Sequence, residues 1–266
     1  MKLKCTLIAT IVLFTVLFIA DIAVRESDAE VDPESIMGIW RFEGKGNTVE
    51  DASGNDNDGK IVDAKRVAGK EGQGIEFDGS DHVVIPASDT VNDFLDGFTY
   101  LLWAKPLAAP SGPHVRLIER DWHNPNILIG NGGDFYGSFI FGGGINNSAI
   151  RGGTWKMDEW TFVALTHDGT TLIMYANGEK AADLKVGKPE FTAKNDGGSI
   201  WLARWKGGPG WDFKGVIDEV AIFNVPLSED DINGIMKKGL ETVLAVAPTG
   251  KLTTTWSAMK TGRTTQ

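Results

Sequence analysis

Two stretches combine aromatic and hydrogen-bonding side chains in the way that a sugar-binding surface requires. They are RDWHNPN at 120–126 and SIWLARWKGGPGWDF at 199–213. An indole ring stacks on the apolar face of a sugar, while neighbouring amide, carboxylate and guanidinium groups bond to its hydroxyls. The residues that we predict to contact a ligand are Trp122, His123, Arg204, Trp205, Trp211 and Asp212. The two stretches therefore predict a carbohydrate-binding site.

The tryptophans of these stretches could instead belong to a hydrophobic core. Trp201 alternates with Leu202 inside a predicted strand, so we expect Trp201 to be a core residue. For Trp122, Trp205 and Trp211 both interpretations remain open.

Catalysis is a weaker interpretation of the first stretch. Asp121 and His123 beside Arg120 could form an acid–base site, although His123 could equally be an ordinary loop histidine. The histidines that lie singly in separate predicted strands and turns, without metal-ligand spacing, are His82, His114 and His167. The sequence also lacks a Gly-x-Ser-x-Gly nucleophile elbow and a phosphate-binding glycine loop. We therefore expect a protein without catalytic residues.

The strand FKGVIDEVAIFN at 213–224 carries two carboxylates in an otherwise apolar sequence. Strict alternation places Asp218 on one face of this strand and Glu219 on the other. A buried carboxylate is costly unless it is paired or bound to a metal. We therefore expect a cation beside Asp218, Glu219 or both.

These residues must be positioned by an all-β scaffold. The chain has 33 Gly, 9 Trp and 13 Phe and little helical periodicity, which favours a two-sheet antiparallel β-sandwich of the jelly-roll type. We predict about a dozen strands. The segments GIEFDG at 74–79 and HVVIP at 82–86 are predicted to pair as a hairpin, as are the segments 160–166 and 171–175.

One helix is predicted near the C-terminus. Ser228 can cap it, three acidic residues follow, two lysines occupy its last turn, and Gly239 ends it. Its few apolar residues suggest a short lid. Residues 241–266 are rich in Thr and Lys and are predicted to be an appended tail.

The N-terminus resembles an export signal. Lys2 and Lys4 precede an apolar run over 7–20, and Ser27-Asp28-Ala29 offers a cleavage site. The predicted organisation is a signal peptide at 1–29, a jelly-roll domain at 30–240 and the tail; an uncleaved membrane anchor is the alternative. The only cysteine, Cys5, lies in this signal, so the exported chain would have no disulfides. We expect a secreted or cell-surface location.

The formal net charge of −10 argues against nucleic acid or an anionic membrane as partners, because both select for basic surfaces.

Several motifs together resemble the laminin G-like jelly rolls of the concanavalin A-like lectin/glucanase superfamily. They are WRFE at 40–43, DASGNDNDG at 51–59, GIEFDG at 74–79, HVVIP at 82–86, WTFVALTHDGTTLIMYANGE at 160–179 and FKGVIDEVAIFNVPLSEDDI at 213–232. The resemblance spans roughly residues 36–237 and implies an antiparallel β-sandwich. It is weak for function, because this fold carries lectins, adhesion modules, hydrolases and lyases.

The resemblance also implies a structural calcium ion at the sandwich edge. Relatives hold this ion with an acidic residue after the first strand and with the Asp of the last strand. The corresponding residues here are Glu43 and Asp218, with Asp51 at the start of the polar loop as a third candidate, and calcium prefers such oxygen ligands. The alternatives are an exposed Asp218 carboxylate, or one that forms an ion pair with a nearby basic residue. The candidate basic residues are Arg41, Lys60 and Lys214.

The catalytic motifs of the related enzymes are missing. Glucanases of this superfamily carry Glu-x-Asp-x-x-Glu on one strand, and the most similar strand here, at 160–166, has no carboxylate. The Gln-x-His strand of the alginate lyases is also absent. We therefore predict an exported, non-catalytic module whose partner is a glycan. The alternatives are an adhesive module that binds an extracellular protein, and a polysaccharide hydrolase or lyase.

Overall fold

The computed structural model describes residues 31–94, 96–120, 125–140, 147–187 and 198–246, which form a two-sheet β-sandwich. A 3-10 turn over Pro33–Ser35 precedes the first strand. The strands are β1 Ile36–Trp40, β2 Thr48–Val49, β3 Gly59–Val62, β4 Lys65–Ala68, β5 Gln73–Asp78, β6 His82–Ile85, β7 Phe98–Pro106 and β8 Val115–Arg120. They continue with β9 Asn126–Ile129, β10 Phe135–Ile140, β11 Asn147–Gly152, β12 Thr161–His167, β13 Thr171–Ala176, β14 Glu179–Lys185, β15 Ile200–Leu202 and β16 Lys214–Phe223.

All strand pairs are antiparallel, and the strands divide equally between the two sheets. The first sheet has the order β14-β13-β12-β7-β16-β5-β4, with β1 also paired to β16. The second sheet has the order β11-β10-β9-β8-β15-β6-β3-β2. The predicted all-β sandwich is confirmed. The predicted hairpin from 160–175 is also confirmed, as β12 and β13.

The predicted hairpin over 74–86 is wrong. β5 pairs with β4 and β16 in the first sheet, whereas β6 pairs with β3 and β15 in the second. Between them the chain crosses from one sheet to the other. Asp81 fixes this crossing, because its buried carboxylate accepts hydrogen bonds from the backbone N–H of Asp78 at 2.9 and 3.2 Å. In both β5 and β6, apolar residues that face inward alternate with residues that face outward. The two strands pack against the same core from opposite sheets.

Two hydrophobic clusters hold the protein together. The larger lies between the sheets and takes side chains from both, among them Phe77 and Leu102 of the first sheet and Leu117 and Leu202 of the second. The smaller lies on the outer face of the first sheet, where Trp103 and Phe162 are covered by helical residues. Burial of apolar surface contributes about 25 cal/mol per Å², so each cluster stabilises the layers that it joins.

Two helices cover the outer face of the first sheet. Helix α1 spans Glu229–Lys238 with the predicted N-cap, Ser228, and a capping box completed by Asp231. Its Ile232 and Ile235 are buried in the smaller cluster. Helix α2 spans Glu241–Val246 and adds Val243 to the same cluster.

Helix α2 lies within the segment that the sequence predicted to be a tail. Residues 247–266 of that tail lie outside the described residues. Within the described residues, no helix is long and apolar enough to cross a membrane. The predicted signal peptide at 1–29 is also outside them.

A β-bulge interrupts β16 at its two carboxylates. Asp218 pairs with Trp103 of β7, but the next registered pair is Ala221 with Leu101, so β16 has one extra residue. Glu219 takes a positive φ of 50° at this point. The bulge reverses the phase of the alternation, because Ile217 and Val220 both face the inter-sheet core. The predicted assignment of the β16 faces is therefore wrong across the bulge.

Candidate functional site

The outer face of the second sheet is the sheet surface on which neither described helix packs. Both helices cover the first sheet. The opposite face is partly covered as well: its buried side chains include Arg116, Glu119, Asn126, Leu128 and Ser138, and its exposed or partly exposed ones include Tyr136, Arg151 and Trp201. Strand registers place two transverse rows of side chains on this face. One row contains Val84, Trp201, Glu119, Asn126 and Ser138; the other contains Arg116, Leu128, Tyr136 and Arg151. We refer to this surface as the second-sheet face.

An ion pair lies buried at the centre of the second-sheet face. Nε of Arg116 donates to Oε2 of Glu119 at 2.7 Å, and the two side chains are 2% and 0% exposed. Strict alternation would put these residues on opposite faces of β8. A register shift between Arg116 and Ile118 brings them together, since Leu117 and Ile118 both face the core.

Trp205 and Trp211 form an aromatic pair above this ion pair. Their ring centroids are 5.0 Å apart, and the Arg116 guanidinium lies 4.7 Å from the Trp211 ring and 5.9 Å from the Trp205 ring. Both indoles are partly exposed. The Arg116 guanidinium therefore supports the inner side of two partly exposed aromatic rings, Trp205 and Trp211.

The loop that carries these indoles is fixed to the sheet. The backbone N–H of Arg116 donates to the carbonyl of Trp211 at 3.0 Å, and that of Ala203 donates to the carbonyl of Leu117 at 3.0 Å. Gly207 lies directly against the Trp205 ring, because a Cβ added there would be 2.3 Å from Cζ2 of that ring. The absence of a side chain at residue 207 thus sets the position of Trp205.

Arg204 and Asp212 brace the same loop. Nη1 of Arg204 donates to the carbonyl of Ser80 at 2.8 Å, and its Nε lies 3.9 Å from Oδ1 of Asp212. Oδ2 of Asp212 accepts from the backbone N–H of Gly210 at 3.1 Å, and Asp212 is buried. The structure thus brings Arg204, Trp205, Trp211 and Asp212 together. The predicted ligand contacts Trp122 and His123, and Asp121, lie outside the described residues.

Trp201 is not a core residue, contrary to the sequence-based expectation. Leu202 is buried in the inter-sheet cluster, whereas Trp201 is partly exposed on the second-sheet face. Its ring stacks on His82 at 4.6 Å and 16°, and its Nε1 donates to Oγ of Ser199 at 2.9 Å. Trp201 therefore extends the aromatic surface of this face.

In the sequence Arg120 could belong to an acid–base site with Asp121 and His123, but in the structure its side chain lies in the core. Its side chain points between the sheets, where the guanidinium lies 4.2 Å from the Phe94 ring and Nε donates to the carbonyl of Gly198 at 3.0 Å. It is fully buried. Arg120 therefore contributes to the core and not to the second-sheet face.

Sequence reasoning missed Arg116, Glu119, Tyr136 and Arg151 as site residues. A signal was available, because Arg116 and Glu119 interrupt the apolar strand Val115–Arg120 just as Asp218 interrupts β16. The argument that a buried charge needs a partner would have flagged both residues.

The two carboxylates of β16 are stabilised by different groups. Oδ2 of Asp218 accepts from the backbone N–H groups of Lys70 at 2.7 Å and Glu71 at 3.0 Å, and Oδ1 accepts from the N–H of Glu219 at 2.8 Å. Oε1 of Glu219 lies 3.4 Å from Nε of Arg41. The expected cation is therefore present beside Glu219, whereas backbone N–H groups surround Asp218.

The chain geometry explains why Asp218 binds backbone groups. The first half of β16 pairs with β5 and the second half with β1, so Asp218 and Glu219 lie at the junction between the two partners. Burial, opposed by the N–H group of Glu71 and reinforced by the nearby Glu219 charge, raises the pKa of Asp218 to about 7.

Glu43 and Asp218 both accept hydrogen bonds from the turn between β4 and β5. Oε1 of Glu43 accepts from the N–H of Gln73 at 3.0 Å, at the end of the β4–β5 turn that also binds Asp218. Carboxylate oxygens suit the hard-oxygen preference of calcium, whereas the turn atoms that bond to these two carboxylates are N–H donors. The described residues contain no group of three or more His, Cys, Asp or Glu that could hold a metal.

Asp51 bonds to a different part of the chain. Its Oδ1 accepts from the N–H groups of Ile39 and Ser53, both at 3.0 Å, and its Oδ2 accepts from that of Asn57 at 3.1 Å. Among the described residues, Asp51 shares no hydrogen-bond partner with Asp218 or Glu43. Its local role is to fold the polar loop 51–58 onto β1.

Comparison of the fold with solved structures finds other jelly rolls. The binding domain of Paraclostridial Mosquitocidal Protein 1 superposes with a TM-score of 0.62 at 13% identity, over 77% of this chain and 52% of that one. Trypanosoma rangeli sialidase gives 0.58 at 15% identity, over 76% and 33%.

The binding domain of botulinum neurotoxin DC has been solved with SialylT and with rat synaptotagmin II. The complex with SialylT gives a TM-score of 0.60 at 16% identity, over 77% of this chain and 52% of that one. This chain thus spans about half or less of the proteins it resembles. At such low identity these likenesses show the fold alone.

The sequence itself matches no curated protein. A family model described as the concanavalin A-like lectin/glucanases superfamily (Laminin_G_3) matches residues 77–233, more than half of the chain. This region contains most of the second-sheet face and the whole of β16. The chain belongs to this laminin G-like family of the concanavalin A-like lectin/glucanase superfamily.

Proposed function

We propose that the protein is an exported, non-catalytic binding module that recognises carbohydrate on its second-sheet face. The observation that carries the proposal is the partly exposed pair Trp205 and Trp211, held over the Arg116 guanidinium on the sheet face that neither described helix covers. Paired rings on a rigid support suit the flat, apolar faces of sugars, and preorganisation lowers the entropic cost of binding.

Other jelly rolls support a binding role. The toxin domains that share the fold are titled binding domains, and one has been solved with SialylT and with a protein, synaptotagmin II. The alternative partner, an extracellular protein, would use the same indoles as interface anchors.

Replacing the indoles should test this proposal. We expect Trp205→Ala and Trp211→Ala each to weaken glycan binding by roughly 30-fold, because a central aromatic anchor contributes about 2 kcal/mol. The measurement is a glycan array followed by titration calorimetry. Trp160→Ala is the matched control, since Trp160 packs on the smaller hydrophobic cluster on the other side of the sandwich. It should leave binding unchanged.

A second variant moves an indole without removing it. Gly207→Ala should displace the Trp205 ring and weaken binding, whereas Gly187→Ala, whose added Cβ meets nothing within 4 Å, should not. Equal affinity of all variants would overturn the assignment of the site. Capture of a protein partner with no glycan signal would favour the adhesive module, and release of reducing or unsaturated ends from polysaccharide would establish an enzyme.

We further propose that calcium binds beside the β4–β5 turn through Glu43 and Asp218. When bound, the ion would supply a positive charge to a buried carboxylate. Its binding should stabilise the fold by about 2.7 kcal/mol at a calcium concentration roughly 100-fold above Kd. We therefore expect EDTA to lower Tm and excess calcium to restore it, as measured by calorimetry.

Glu43→Gln should abolish the calcium-dependent increase in Tm. The substitution keeps an oxygen that can accept from the N–H of Gln73, so the metal-free fold should persist. Glu159→Gln removes an exposed carboxylate elsewhere and should retain the full response. An identical Tm for the wild-type protein in calcium and in EDTA would refute the proposal.

A further inference from the structure

The second transverse row of the second-sheet face has an arginine at each end, with Leu128 and Tyr136 between them. Arg116 pairs in register with Leu128, Leu128 with Tyr136, and Tyr136 with Arg151. The Arg151 guanidinium lies 5.0 Å from the Tyr136 ring. The row begins at the buried Arg116, beneath the Trp205 and Trp211 pair, and passes through the buried Leu128. It reaches the surface at Tyr136, which is partly exposed, and at Arg151, which is exposed.

His114 contacts two members of this row, Tyr136 and Arg116. Its ring centroid is 5.1 Å from that of Tyr136, and its backbone carbonyl accepts from Nη1 of Arg116 at 2.5 Å. Nδ1 of His114 is buried and has no hydrogen-bond partner among the described residues. Burial, and then the charges of Arg116 and Arg151, lower the pKa of His114, so its imidazole is favoured in the neutral form.

Two carboxylates lie near the arginines of this row, and only Arg151 keeps N–H donors that a ligand can reach. Glu119 neutralises Arg116 in the buried ion pair at 2.7 Å. Asp134 lies 3.5 Å from Nη1 of Arg151, whose side chain is 53% exposed. An exposed pair at that distance is weak, and a guanidinium has five N–H donors. Arg151 can therefore donate to a ligand.

We propose that this row selects a negatively charged sugar residue, one that carries a carboxylate or a sulfate group. This inference rests on the proposed carbohydrate site and specifies its ligand class. The sugar ring stacks on the indole pair or on Tyr136, while its anionic group accepts hydrogen bonds from Arg151 and His114. A planar guanidinium matches both carboxylate and sulfate oxygens.

The test compares oligogalacturonate, its fully methyl-esterified form and a sulfated galactan oligosaccharide of the same length, by titration calorimetry on the full chain. We expect at least one anionic ligand to bind about tenfold or more tightly than the neutral ester, since a charge-assisted hydrogen bond contributes about 1.5 kcal/mol or more. Which anionic ligand binds identifies carboxylate or sulfate as the recognised group. Added salt should reduce the difference, because the charges lie near the surface.

Arg151→Gln should remove most of the preference for the anionic ligand, with a much smaller effect on affinity for the neutral ester. His114→Gln should reduce the same preference. Lys237→Gln, an equal charge change on helix α1 behind the first sheet, should have no effect. Equal affinity for ester and anionic ligands, with binding still lost in Trp205→Ala, would overturn this inference and leave the carbohydrate site standing. Absence of binding to all three ligands and to a general glycan array would remove both.

Discussion

Glu119→Gln is expected to lower the free energy of unfolding by about 3–5 kcal/mol, because it leaves the Arg116 cation buried without its counter-charge. The two side chains are 2% and 0% exposed, and the 2.7 Å contact between them is short for a nitrogen–oxygen pair. Gln preserves the shape of Glu119, so the loss reports charge alone. Chemical denaturation of the full chain measures it.

Replacing both Arg116 and Glu119 should affect the free energy of unfolding and the affinity for glycan differently. Arg116→Met combined with Glu119→Leu removes both buried charges and keeps apolar volume, so we expect much of the lost stability to return. Glycan binding should not return with it, because the support beneath Trp205 and Trp211 would be gone. A loss below about 1 kcal/mol in Glu119→Gln would show that water already solvates this pair. Recovery of binding in the double variant would show that the indoles hold their positions without Arg116.

The sequence was sufficient to predict the sandwich because its signals are local and periodic. The hairpin over 160–175 and the cap at Ser228 depend on residues close together in the sequence, and the structure reproduces both. The crossing at Asp81 could not be distinguished from a hairpin. In both cases two amphipathic strands are separated by a short polar turn, and only the partners of β5 and β6 differ.

The candidate site was less predictable because two bulges control it. Strict alternation separates Arg116 from Glu119 and assigns the wrong faces beyond Asp218. The extra residue that restores each pairing has no clear mark in the sequence, as neither Leu117 nor Glu219 is a glycine. The Trp-rich loop was recognisable from composition alone. Its support by Arg116 depends on contacts between distant segments and could be seen only in the fold.

Asp218 should make the metal-free protein less stable as the pH rises from about 4 to about 7. The ordinary pKa of the carboxyl is 3.8, and burial raises it to about 7 in the folded protein. Between these values the unfolded chain has released the proton and the folded chain retains it. Stability therefore falls with increasing pH across this window, by about 4 kcal/mol in total, and is constant above it as far as this group is concerned.

The Asp218→Asn variant isolates this contribution, because its amide does not titrate and its carbonyl can still accept the N–H groups of Lys70 and Glu71. Glu219 titrates in both proteins, so the quantity to measure is the difference in unfolding free energy between the two, in EDTA, from pH 4 to pH 7. We expect the wild-type protein to lose stability relative to the variant over this range. A difference that stays constant with pH would show that the folded carboxyl is already ionised at pH 4. Calcium favours the ionised carboxylate, so if the proposed site exists, repeating the titration in calcium should weaken or reverse the trend.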